Sequence, residues 1–317
     1  MGKKLYLECN TGISGDMSVA ALIGLGADTT VLKAVLDSLK EKTGGFDYVI
    51  SEVEKSGIKA MDFDVILDND NHDHDMDYLY GHEHGYSNEE IADHHHDHHH
   101  DDHDHHDHHH HHHDDHDHHH DYNHDDHHHD DHDHDHHHHD HVHRSLSDVI
   151  DIINSAEMTD GARELAIKVF TIVAEAESAV HGRTIDEVHF HEVGAIYSIV
   201  DIIAAAVCYD SVVKKYNIEK TVITKLIDGT GTIRCQHGIL PVPVPAVLKI
   251  AEQTGVPIGI TDRRGEFVTP TGAAFAAAIM TENRLPEGMK IIKTGIGAGK
   301  RNHEIPGILR AMVIEEV

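Results

Sequence analysis

The chain has 317 residues, 40 histidines and a formal charge of −32, but one segment accounts for most of that imbalance. Between Asp68 and His143 lie 35 of the 40 histidines and 25 of the 57 acidic residues, with no Lys or Arg; the rest, 32 acidic against 25 basic residues, carries only −7. Outside the segment the composition is that of an ordinary globular protein, with no basic stripe for nucleic acid and no charge pattern for a membrane surface.

Residues 3 to 8 alternate like a strand and run into the Gly-rich Thr11-Gly12-Ile13-Ser14-Gly15-Asp16, after which Met17 to Leu25 and Val31 to Leu39 read as helices. Phe46 to Glu54 and Ile58 to Leu67, separated by Lys55-Ser56-Gly57, predict a hairpin. The segment that follows has too little apolar side chain to offset the backbone entropy of folding and reads as disordered without metal. Order resumes at Ser145, whose spacing to Asp148 predicts a capping box and a helix to about Ser155. Thr159 or Asp160 caps a longer helix to about Val180, with an apolar stripe at Leu165, Val169, Ile172, Val173 and Ala176.

A third helix is expected over Ala195 to Tyr216, then strands near Val222 to Leu226 and Gly231 to Cys235. Helices near Ala246 to Gln253 and Thr271 to Thr281, and strands near Ile291 and over Ile308 to Ile314, complete the pattern. The fold class is mixed α/β, a sheet with flanking helices, interrupted by the insert: residues 1–67 and 144–317 form one α/β domain and 68–143 a metal-binding insert. No repeat of 20 to 50 residues is present. The longest apolar run, Ile199 to Val207, contains Asp201 and falls short of a bilayer span. Met1-Gly2-Lys3-Lys4 lacks the apolar core of a secretory signal, and Cys9, Cys208 and Cys235 are odd in number and far apart, which fits reduced thiols in a cytoplasm.

Runs such as His94-His95-His96-Asp97-His98-His99-His100 point to a sink for transition-metal ions. Neutral imidazole suits Ni²⁺, Zn²⁺ and Cu²⁺, and the aspartates can orient the rings. A cloning tag or a solvated spacer that binds metal incidentally are the plain alternatives. His189-Phe190-His191-Glu192 is the best metal candidate outside the tract: in an extended segment both imidazoles project from one face, with Glu192 as base or hydrogen-bond acceptor, unless they are simply surface histidines. Asp201, among Ile199, Val200, Ile202 and Ile203, is either functional or a buried cap or salt bridge.

The loop through Ser14, Gly15 and Asp16 opens a helix and can hold an anion on its amides, or be a tight turn with Ser14 as N-cap. Thr269-Pro270-Thr271-Gly272 has the same logic, with simple capping by Thr269 as the alternative. Cys235 and His237 fall on one face of a strand end and could ligate a soft metal, though such a pair is more often structural. Gly295-Ile296-Gly297-Ala298-Gly299-Lys300 imitates a phosphate loop, but no helix is expected after it, and it reads as a turn.

Taken together, several of these passages resemble the LarC family, the nickel-insertion proteins of nickel-pincer nucleotide biosynthesis. They are Leu5 to Cys9 with Gly12 to Met17, His189 to Ala195 with Ser198 to Ile202, His237 to Pro243, and Thr269 to Ala274. A His-rich insert in this place is also typical of that family. The resemblance implies a CTP-dependent cyclometallase, with Mn²⁺ or Mg²⁺ accompanying the CTP. It inserts nickel into pyridinium-3,5-bisthiocarboxylic acid mononucleotide to give the cofactor of lactate racemase-type enzymes. On this reading the tract gathers Ni²⁺ and His189 and His191, with His237, present it. Glu192 or Asp201 takes the ring proton, with Asp16 as a further catalytic candidate, and the helix starts at Ser14 and Gly15 or at Thr269, Thr271 and Gly272 hold phosphate. Full-length relatives continue into a C-terminal domain beyond the equivalent of Val317, so the chain reads as a split gene product, a truncated reading frame or a fragment; a separate C-terminal chain and a homo-oligomer are candidate partners, with lactate racemase-type enzymes as recipients.

A nickel store or metallochaperone without catalysis is the alternative, and a zinc hydrolase is weaker because no HExxH ligand set is present. Under any of these readings, nickel held by the tract should drop steeply as pH falls through about 6.5, where protons compete for the ring nitrogens. Equilibrium dialysis on either side of that pH measures it, and equal loading on both sides would remove imidazole as the main ligand.

Overall fold

The computed structural model describes residues 2–68, 144–187, 196–235, 237–301 and 305–317. The tract from Asn69 to His143, including His94 to His96 and His98 to His100, and the segment holding His189, His191 and Glu192 lie outside the described residues.

Ten strands and seven α-helices alternate along the described chain. They are β1 (Lys3–Glu8), α1 (Gly15–Leu25), α2 (Thr29–Thr43), β2 (Phe46–Lys55), β3 (Ile58–Leu67), α3 (Leu146–Ser155), α4 (Asp160–His181), α5 (Ile196–Tyr216), β4 (Ile218–Val222), β5 (Leu226–Thr230), β6 (Thr232–Cys235), β7 (Gly238–Pro241), α6 (Pro245–Thr254), β8 (Ile258–Arg264), α7 (Pro270–Ile279), β9 (Met289–Ala298) and β10 (Ile308–Glu316). The main sheet has the order β2-β3-β9-β10-β1-β4, and β5-β8 and β6-β7 form two small pairs. Strands from before and after the tract therefore share one sheet. It is mixed: β1 pairs antiparallel with β10 and parallel with β4.

Side chains alternate across this sheet as the period of two requires. Leu5 and Leu7 of β1 and Leu309, Ala311 and Val313 of β10 enter the large core. Tyr6, Met312 and Ile314 turn to the opposite face, where they form a small cluster with Val222.

The expected elements hold in chain order, with four corrections, the first being β7, a short strand at Gly238–Pro241 that no expectation covered. The strand expected over Val222 to Leu226 is instead the junction between β4 and β5, because Val222 ends one ladder and Leu226 begins another. Strand β8 was not foreseen; Asp262, Arg263 and Arg264 dilute its apolar pattern. Residues 295–298, read as a turn, are the end of β9. Their glycines serve close packing: a Cβ on Gly295 would lie 2.2 Å from the Leu25 nitrogen and 2.3 Å from the Ala21 oxygen, and one on Gly297 2.3 Å from the Met17 oxygen. Helix α1 thus rests its backbone directly on β9.

That approach is required because nine of the eleven residues of α1 are buried. It has no polar face to give to water, so it is covered by the sheet on one side and by α5 on the other. The two helices run the same way. Asp201 of α5 meets the first residues of α1, and at the far end the Tyr216 hydroxyl donates to the Leu25 carbonyl at 2.9 Å. Helix α5 is long and apolar enough to cross a membrane by length and composition alone, but its apolar side chains are packed into the core.

Local chemistry fixes the other helix starts. Ser145 and Asp148 form the expected capping box, and the Thr159 hydroxyl caps α4 by accepting from the Ala162 amide. Gly295→Ala should destabilise the chain by about 1–3 kcal/mol, since the obstructing atoms are backbone and cannot rotate away. The shift of the urea midpoint measures it, and an unchanged midpoint would contradict the close contact.

Candidate functional site

The start of α1 brings two half-buried carboxyl groups together. Ser14 stands at the N-cap position, but its hydroxyl donates to the Asp16 carboxylate instead of capping the helix. No side chain caps the helix; instead the Asp201 carboxylate of α5 lies against its first turn. Gly15 makes room for this, since a Cβ there would stand 2.7 Å from Asp201 Oδ2. The structure therefore brings Asp16 and Asp201 together.

Neither carboxyl behaves like one in water. Burial raises Asp16 above the ordinary carboxylate range against the pull of Ser14 and the Met17 amide. Burial first, and then the charge of Asp16, raise Asp201 further. The helix N-terminus and the nearby Lys300 oppose the shift without cancelling it. Two acids this close cannot both ionise cheaply, and they titrate as a pair.

Around the pair stand Asp62 and Asp64 of β3, two apart and so on one face, and both meet Lys300, at 2.8 and 3.4 Å. Lys55 donates to the carbonyls of Gly299 and Arg301 at 2.8 and 2.9 Å, tying β2 to the same loop. Burial lowers the Lys55 pKa, while Asp62 holds it up. Arg301 pairs with the buried Glu266 at 2.6 Å. Among the described residues no group of three or more His, Cys, Asp or Glu side chains is placed to hold a metal ion.

A second helix start abuts the first. The Thr269 amide donates to the Ile13 carbonyl at 3.1 Å, and a Cβ on Gly272 would lie 2.8 Å from the Ser14 Cα. Thr269 caps α7 by accepting from the Gly272 amide at 3.2 Å, and its hydroxyl lies 3.0 Å from that of Thr271. The junction is anchored by Asp228, fully buried, whose Oδ1 accepts from the amides of Gly229, Phe267 and Val268. Its Oδ2 has no hydrogen-bond partner, and burial raises its pKa.

His237 lies elsewhere. Strand β6 ends at Cys235, and His237 sits in the tight turn to β7 instead of continuing the strand face. Its Nδ1 is 4.0 Å from Cys235 Sγ and its ring centre 5.0 Å from that of His181. Burial, and then His181, lower its pKa.

Asp62, Asp64, Lys55, Lys300 and Asp228 escaped sequence reasoning. The one available signal was the Asp-x-Asp spacing in β3, where carboxylates replace one side of an apolar alternation.

The family described as "Nickel insertion protein" matches residues 5–317, and the chain belongs to that family. A pyridinium-3,5-bisthiocarboxylic acid mononucleotide nickel insertion protein of Alkaliphilus metalliredigens is 43% identical over 316 residues, covering 100% of this chain and 61% of the relative. Proteins of the same name from Clostridium acetobutylicum and Acetivibrio thermocellus are 39% and 33% identical, over 98% and 94% of this chain and 64% and 56% of the relatives. The chain thus spans about three fifths of the length of these relatives. No solved structure matches it.

The raised acid pair sets a sign for pH dependence. A carboxyl whose folded pKa exceeds its unfolded one contributes stability at low pH that is lost as pH rises through the folded value. Thermal midpoints should therefore decline as pH rises from about 4, the ordinary carboxyl value, and Asp201→Asn should flatten that decline. A variant with the same slope as the parent would show that Asp201 titrates normally.

Proposed function

We propose that this chain takes part in inserting nickel into pyridinium-3,5-bisthiocarboxylic acid mononucleotide, with CTP as co-substrate, giving the cofactor of lactate racemase-type enzymes. Family membership supports the reaction class, and the relatives' names supply the substrate. The observation that carries the reading is the Asp16–Asp201 pair at the start of α1.

Insertion forms a carbon–nickel bond at a pyridinium ring carbon. The carbon–hydrogen bond breaks, its electron pair passes to nickel, and the proton needs an acceptor. A carboxylate held above its ordinary pKa is a stronger base than one in water, which suits Asp201, with Glu192 as the other candidate. Asp16 keeps Asp201 basic through its charge. Two carboxyl groups already crowd the start of α1 and would repel an anion there, which favours the α7 start, with Thr269, Thr271 and Gly272, for the substrate phosphate. Nickel is cargo here, gathered by the His/Asp tract and presented by His189 and His191. CTP, its accompanying Mn²⁺ or Mg²⁺, and a separate C-terminal chain complete the proposal.

The test is product formation from Ni²⁺, CTP and the bisthiocarboxylated mononucleotide, followed by mass spectrometry, with and without a C-terminal partner chain. Nickel-containing product is expected, and Asp201→Asn should slow it by about 10²–10⁴-fold, the usual contribution of a general base. Wild-type rates in Asp201→Asn would remove Asp201 as the base. No product under either condition would overturn insertion in favour of metal storage.

A further inference from the structure

Directly after β9, the loop from Gly299 to Arg301 is gripped from three sides. Lys55 of β2 donates to the carbonyls of Gly299 and Arg301 at 2.8 and 2.9 Å. Arg301 donates to the Glu266 carboxylate at 2.6 Å and to the Glu266 carbonyl at 3.2 Å, which ties the loop to the residues before α7. Between these anchors Lys300 donates to both oxygens of Asp62 at 2.8 Å and lies 3.4 Å from Asp64. Holding a long lysine side chain in one place costs rotamer entropy, so a clamp this complete calls for an explanation. We propose that Lys300 is a positioning residue for the insertion reaction: clamped by Asp62 and Asp64, it keeps one positive charge beside Asp16 and Asp201, so that the pair can give up its proton between turnovers.

The role in turnover rests on the insertion reading. A general base must be free of its proton when the substrate arrives. Burial and mutual repulsion work against that, because both favour the protonated form of the pair. A nearby cation favours the ionised form, and the charge of Lys300 acts on both members, lowering the proton affinity of Asp16 and of Asp201.

Among the described residues, the other charges around the pair come from three elements. Asp62 and Asp64 of β3 oppose Lys300: Asp62 raises Asp16 and Asp64 raises Asp201, in each case by less than the lysine lowers it. Lys55 of β2, whose own pKa burial lowers, has its ammonium on the two loop carbonyls. Arg301 is matched by Glu266, and α7 carries no charged residue. Lys300 is therefore the group on which the balance between a held and a released proton turns.

Two readouts in the full chain test this. Without substrate, the part of the protonated-carboxyl infrared band that Asp201→Asn weakens should titrate about one pH unit higher in Lys300→Met, a tenfold gain in proton affinity, and at the parent's pH in Lys300→Arg. With Ni²⁺, CTP and the mononucleotide, the low-pH limb of kcat/KM should move up by the same amount in Lys300→Met, while the plateau above it stays near the parent's. A lysine that merely supports the fold would lower the plateau and leave both the limb and the band in place, which would overturn the proposal. Circular dichroism checks that Lys300→Met folds. If it does not, Asp64→Asn leaves Lys300 on both oxygens of Asp62 and removes a charge that raises Asp201, so band and limb should move down instead. An unmoved band in that variant would equally overturn the proposal. No product from the parent would overturn insertion and the role in turnover with it, while the substrate-free band still reports on the charge itself.

Discussion

The structure depends on burying α1 on both sides. Val19, Ala20, Ala21, Leu22 and Leu25 leave this helix without a solvent face. It can be stable only between a sheet and a second helix, and the glycines of β9 let the sheet approach to backbone distance. Packing at that density fixes α5 alongside it. The price is that the amides at the start of α1, which need partners, are sealed in with it.

Carboxyl groups gather at that end of the helix, and they create the site. Asp201 reaches across from α5 to the first turn of α1, where it lies against Gly15 and its proton affinity rises beside Asp16. A hydroxyl cap would have served stability with less desolvation. Two acids at one helix start, steadied by Lys300 and bordered by Asp62 and Asp64, instead hold a proton-binding pair whose affinity is set by burial and mutual repulsion. The abutting start of α7, held in place by Asp228, adds a second ring of backbone amides against the same loop.

Much of this was legible in the sequence, for identifiable reasons. Ser145 with Asp148 and Thr159 announce their helices because capping is local chemistry. Asp201 stands out because a charge among Ile and Val demands a partner. That the partner is the start of α1, 185 residues earlier, is a long-range fact that no local pattern carries. Gly295 and Gly297 misled for the same reason: glycines that accommodate a neighbouring helix look, in one dimension, like glycines that make a turn. His181 and His237 likewise come together only through the docking of the β6–β7 turn against the end of α4. The histidines at 189 and 191 and those of the tract lie outside the described residues, and their roles rest on chemistry and family resemblance.

The central claim is that Asp16 and Asp201 together keep a proton beyond the range in which ordinary carboxyls lose theirs. Infrared difference spectroscopy across a pH series, comparing the parent chain with Asp201→Asn, observes that proton directly. The account predicts a protonated-carboxyl band in the parent that persists well above about pH 4 and is weakened in the variant, where burial still raises Asp16. Only ionised carboxylate signal in the parent above that pH would contradict it.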